Sequence, residues 1–109
     1  MPNQSSIILV PFPFSDQTGT KVRPALILSN PEFNRHEDVI ICALTSSIKE
    51  RPYSLIVAER DTLHKKLKDK SQIRIDTITR IKKSLIIKEI DILTETSFQK
   101  VLKILHNLF

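Results

Sequence analysis

Glycine is almost missing from this 109-residue chain, which has only Gly19. A phosphate-cradling loop needs several glycines to let the backbone close on the anion, so nucleotide-hydrolase chemistry of that kind has no support. Cysteine is equally scarce. Cys42 lies alone in the apolar run DVIICAL and reads as a buried, inert thiol in a reducing cytoplasm, with no CxxC motif for redox or zinc. HExxH and GxSxG are absent too, which removes zinc-hydrolase and serine-hydrolase readings. Long apolar runs are also lacking: residues 7–14 form the longest, eight residues broken by two prolines, far too short to span a bilayer. The opening MPNQSS carries neither positive charge nor a cleavage pattern, so no secretory signal is expected. His36, His64 and His106 are dispersed along the chain and read as solvated side chains, not as a metal set.

What is present is ordinary for one folded domain covering residues 1–109: 40% hydrophobic and 27% charged residues, with no repeat and no linker-like tract. The charge is uneven. Residues 49–83 hold eleven Lys and Arg against five acids, so all of the +5 net charge comes from one continuous third of the chain. A polyanion such as nucleic acid suits that segment, and a solvated basic surface explains it equally well.

Strand signals dominate. IILVPF (7–12), PALILS (24–29), DVIICAL (38–44) and YSLIVA (53–58) are short, rich in Ile, Val and Leu, and bounded by turn residues. QIRIDTITRI (72–81) alternates, then slips by one around Asp76 and Thr77, which predicts a bulge where the strand changes face. LIIKEIDIL (85–93) predicts a sixth strand. The period then changes: Phe98, Val101, Leu102, Leu105 and Phe109 fall at helical spacing, and Thr96 with Gln99 has the form of a capping box. The expected fold is mainly β with a C-terminal α-helix, a small, partly open barrel.

Chemistry is left to polar groups at strand ends. Arg23 precedes Pro24, which holds its backbone extended and gives the guanidinium a rigid base. It can grip a phosphate in bidentate fashion or serve as a surface salt-bridge partner. Thr45 ends a strand before Ser46 and Ser47, and can donate to a phosphate oxygen or simply mark a turn. Arg74 and Asp76 lie two apart and share a face of an unbroken strand, as an ion pair or as a carboxylate near a reacting hydroxyl.

Taken together, VPFPFSD, then RPALILS after a short Gly-containing loop, then ALTSS and SQIRID, resemble the MazF/PemK family of toxins from type II toxin–antitoxin pairs, from about Ile7 to the C-terminus. The resemblance implies an SH3-like curled barrel, a cytoplasmic homodimer, single-stranded RNA as substrate and an acidic antitoxin as partner, with no cofactor, metal or membrane. It implies metal-independent endoribonuclease chemistry, in which the ribose 2′-OH attacks the adjacent phosphorus and leaves a 2′,3′-cyclic phosphate. By position, Arg23, Thr45 and Asp76 match the catalytic elements. Arg74, Ser46, Ser47, Thr20, Lys21 and Arg80 are the expected RNA contacts, with loops 15–22 and 46–53 setting base choice.

Three departures stand out. Ser5 and Ser6 replace a usual Gly-Asp, Thr79–Arg80 reverses a usual Arg-then-Thr order and turns Arg80 toward the other strand face, and the first loop lacks a histidine, which leaves the general base open. Two other readings are kept: a CcdB-like inhibitor of DNA gyrase that contacts its target through the C-terminal helix, and an RNA-binding relative without catalysis.

Overall fold

The computed structural model describes residues 2–12 and 21–109. The described residues form six strands and then an α-helix: β1 Ser6–Phe12, β2 Lys21–Ile27, β3 Asp38–Thr45, β4 Ser54–Val57, β5 Ser71–Lys82, β6 Lys88–Ile92 and α1 Glu95–Asn107. They form one curled antiparallel sheet in the order β4-β5-β3-β2-β1-β6, matching the expected barrel-and-helix architecture. The sixth strand is shorter than expected. Residues 83–85 make a single helical turn closed by Ile86 N–H on the Lys83 carbonyl, and pairing resumes only where Ile87 donates to Leu9.

Continuous apolar runs such as IILV and IICAL arise because both faces of the central strands are buried. One face carries Ile7, Leu26, Cys42, Leu44, Ile73 and Ile75 and packs against Phe98 and Val101 of α1. The other carries Ile8, Val10, Ala25, Ile27, Val39, Ile41, Ala43 and Ile81 in a smaller cluster inside the curl. Burying an apolar side chain of this size contributes about 1.5–3 kcal/mol, so the helix is fastened chiefly by Phe98 and Val101.

The predicted slip in β5 is a bulge. Cys42 pairs with Ile78 while Ala43 pairs with Arg74, leaving residues 75–77 as surplus. Ile73 and Ile75 therefore serve the helix side and Ile81 the opposite cluster.

The helix starts earlier than the Thr96–Gln99 pattern suggests. Thr94 is the N-cap, its hydroxyl oxygen accepting from Ser97 N–H at 3.3 Å, while Asp61 holds the same turn by accepting the Ser97 hydroxyl at 2.8 Å. A partner from outside the helix decides which threonine caps it. Phe109 falls past the last helical residue and is 92% exposed, so it is not part of the helix's buried stripe.

Ser5, at the expected Gly position, has φ 78°, the left-handed region a glycine enters freely. The turn survives because Ser5 N–H donates to Ile27 and its carbonyl accepts from Leu93, closing β1 between its neighbours.

Candidate active site

Pro24 creates the opening in which the site sits. Leu28 N–H donates to Ile40 on β3, and N–H direction alternates along a strand, so position 24 also faces β3. Proline has no donor to offer there. The β2–β3 ladder accordingly stops at Ala25↔Ala43. Two residues further in the same register, Arg23 and Thr45 stand opposite one another across the parted strands. Both line a cavity of about 280 Å³, with Pro24, Ser46, Lys66 and Lys68 among its other walls.

Alternation puts Arg23 and Thr45 on the face of Ala25 and Ala43, and β5 adds Gln72 opposite Thr45 and Arg74 opposite Ala43. Two arginines thus flank a floor of two methyl groups, with a threonine hydroxyl between the strands. Arg74 is half-buried, and its buried Nε has no hydrogen-bond partner among the described residues. A buried donor left in that state favours an anionic acceptor from outside.

Thr45 is held by the residue two positions on. Its Oγ1 accepts Ser47 N–H at 3.1 Å, which leaves the hydroxyl proton available to donate. Ser46 and Ser47 are exposed beside it, and Lys21 is exposed opposite Phe12 at the start of β2, two residues before Arg23. Thr20 and the turn with Gly19 lie outside the described residues.

Asp76 sits on the bulge, exposed, with the Thr77 hydroxyl 3.5 Å away. Among the described residues no ion pair joins it to Arg74. Burial pushes the Cys42 thiol far above its ordinary range and the Asp76 carboxylate adds to that rise, so this cysteine is inert.

Arg80 is placed elsewhere. It pairs across from Ile40, five residues along β3 from Thr45, or about 17 Å. There its Nε donates to Asp38 at 2.5 Å and its guanidinium lies 5.7 Å from the Phe33 ring centroid.

Sequence reasoning missed Gln72 and Arg51. The Gln72 side chain is buried, and its amide donates to the Lys49 carbonyl and Ser54 Oγ, both at 2.9 Å, while its oxygen accepts Lys49 N–H at 3.1 Å and Arg51 Nη1. Arg51 Nη1 also donates to the Ser47 carbonyl at 2.9 Å. A buried glutamine is itself the signal, but only the folded loop shows what it holds.

Comparison with curated proteins finds no match. Among solved structures, the chain is similar to an endoribonuclease in complex with its cognate antitoxin from mycobacterial species, with TM-score 0.77 and 21% identity over 98% of this chain and 93% of that one. It is similar to MazF from Deinococcus radiodurans (Form-I), with TM-score 0.77 and 18% identity over 98% and 94%. The MazE-MazF complex (Form-II) of the same organism gives TM-score 0.73 and 17% identity over 98% and 93%. At such identities these likenesses establish the fold. Residues 3–109 also match the model of the PemK-like, MazF-like toxins of type II toxin–antitoxin systems, so the chain, with its parted strands around Arg23 and Thr45, belongs to that toxin family.

Proposed function

We propose that this toxin is a metal-independent endoribonuclease acting on single-stranded RNA. The observation that supports it most is that Arg23 and Thr45 line one cavity where the ladder parts, with Arg74 paired across from Ala43 on the next strand. Arg23, Thr45, Lys66 and Lys68 line that cavity against the one carboxylate of Asp69, a balance that favours an anion, and the basic segment to which the lysines belong favours a polyanion. The nucleophile comes from the substrate: the ribose 2′-oxygen attacks the adjacent phosphorus, the bond to the 5′-oxygen breaks, and a 2′,3′-cyclic phosphate and a 5′-hydroxyl result. The chain's task is to position the phosphodiester and offset the charge growing on its oxygens. Arg23 and Arg74 supply charge, and the Thr45 hydroxyl donates to a phosphate oxygen. Asp76, exposed two residues from Arg74, is the carboxylate assigned to accept the 2′-proton, which passes through solvent to the leaving oxygen.

The requirement for a 2′-OH makes RNA obligatory. Purified protein incubated with a long mixed RNA in excess EDTA is expected to yield cyclic-phosphate ends at a recurring short motif, while an all-deoxy strand stays whole. Intact RNA, or cleavage undiminished in Arg23→Ala, would sink the reading.

A homodimer in the cytoplasm and an acidic antitoxin laid along the basic segment complete the proposal. Antitoxin-bound relatives of the same fold support the partner. The exposed Phe109 at the end of α1 is the one feature that favours gyrase inhibition instead. A supercoiling assay separates the two.

A further inference from the structure

We propose that Gln72 and Arg51 are positioning residues that hold the Thr45 hydroxyl and the 46–53 loop in a cleavage-ready arrangement; the inference rests on the endoribonuclease reading above. A continuous chain of hydrogen bonds carries it. Gln72 accepts from Arg51 Nη1, Arg51 donates to the Ser47 carbonyl, and Ser47 N–H donates to Thr45 Oγ1. The Gln72 amide is fully used, with two donations and two acceptances, and the reverse orientation of its amide would set donor against donor.

The loop is tied along its whole length. Gln72 grips Lys49 at both its N–H and its carbonyl, Ser54 Oγ donates to the Arg51 carbonyl at 2.8 Å, and the Tyr53 carbonyl accepts from Ile75 N–H at 3.0 Å. Tyr53 is held at φ 52°, a left-handed conformation that tyrosine adopts only when its surroundings enforce it. A loop with no such fastening would let the serines beside Thr45 drift, and a displacement of about 1 Å at a reacting group costs on the order of 100-fold in rate.

Gln72 pairs with Thr45 across the β3–β5 ladder, so the buried amide that holds the loop sits at the register position of the hydroxyl it serves. With one Oγ1 lone pair engaged by Ser47 N–H, the hydroxyl proton can turn only toward the remaining directions, among them the cavity shared with Arg23. Side-chain identity at 72 and 51 therefore acts on catalysis without either residue touching the scissile phosphate.

The test uses Gln72→Leu and Arg51→Ala, with Arg51→Lys as the conservative control, in the full-length protein. Two readouts are taken. The first is amide hydrogen exchange at Ser47, which needs no activity. Exchange there is expected to accelerate at least about 10-fold in Gln72→Leu and Arg51→Ala, while the α1 amides keep wild-type protection. The second is cleavage of a defined oligoribonucleotide, where kcat is expected to fall roughly 10- to 100-fold with KM within about 3-fold of wild type, partly restored by Arg51→Lys.

Should Gln72→Leu fail to fold, Arg51→Ala leaves three of the four amide bonds in place and carries the test. Unchanged Ser47 exchange, a wild-type kcat, or a rise in KM alone would overturn the proposal, the last by making Arg51 a direct RNA contact. If the wild-type protein cuts no RNA, the endoribonuclease reading fails by itself, and the exchange measurement still decides whether the relay exists.

Discussion

The two ends of the β3–β5 ladder each carry an arginine from the same strand, and they differ in what surrounds it. At the far end Arg80 is ion-paired with Asp38 and stacked near Phe33, while its side chain remains 69% exposed. At the near end Arg74 is half-buried over Ala43, with an Nε that has no partner among the described residues. A carboxylate beside an arginine turns it into a strut; small apolar neighbours leave it to be completed by a ligand. Charge alone does not distinguish the two, and both stand in the same basic segment.

Removing the guanidinium at the parted strands is the strongest way to probe that contrast. Arg23→Ala is expected to lower cleavage by about 1000-fold, as the loss of a preorganised donor to a developing oxyanion does. Arg74→Ala is expected to cost about 100-fold and Arg80→Ala less than about 3-fold, measured as kcat/KM on one oligonucleotide. Equal losses from both would erase the distinction. Arg80→Ala should instead lower stability by under about 1 kcal/mol, the usual worth of an exposed pair, read by urea titration.

A carboxylate sharpens the comparison, because Asp91 is buried and well supplied with donors. Burial by itself would raise its pKa, yet N–H groups of Lys66, Ile92 and His64 together with the Thr62 hydroxyl outweigh burial and hold the carboxyl below its usual range. The unfolded chain therefore takes up this proton first, and the stabilisation, complete above the ordinary aspartate range, is lost as pH falls from about 4 through the lowered folded value. Asp91→Asn is expected to cost about 2 kcal/mol at pH 7 and to flatten the acid limb of the stability profile. An unchanged limb would count against the donor set. The smallest effect belongs to Ser5→Gly, which should raise stability by roughly 0.5–1 kcal/mol by relieving the left-handed strain at φ 78°.

The strands and the bulge were legible in the sequence because each rests on local pattern, β-branched runs and an interrupted alternation, whereas Arg23 and Thr45 were legible only as separate strand-end candidates that the family resemblance joined. Register did the rest, since residues 25 and 43 being partners sets 23 opposite 45. What escaped was decided by contacts distant in sequence. Gln72 looks like any polar residue opening a strand until the 46–53 loop folds over it. Thr94 outcompetes Thr96 as the cap because Asp61 docks at that turn. Arg80 was grouped with the RNA contacts, and only the fold reveals Asp38 at its side.

The surplus in β5 carries a rule of parity. Three extra residues are an odd number, so even positions face the arginine side before residues 75–77 and odd positions after them. Excising two of the three would leave an odd remainder and every later side chain on its present side. Excising one would make the remainder even, and unbroken alternation then also keeps Arg80 and Ile81 on their present sides, so pairing with β3, and not the length of the surplus, decides which of the two enters the small core.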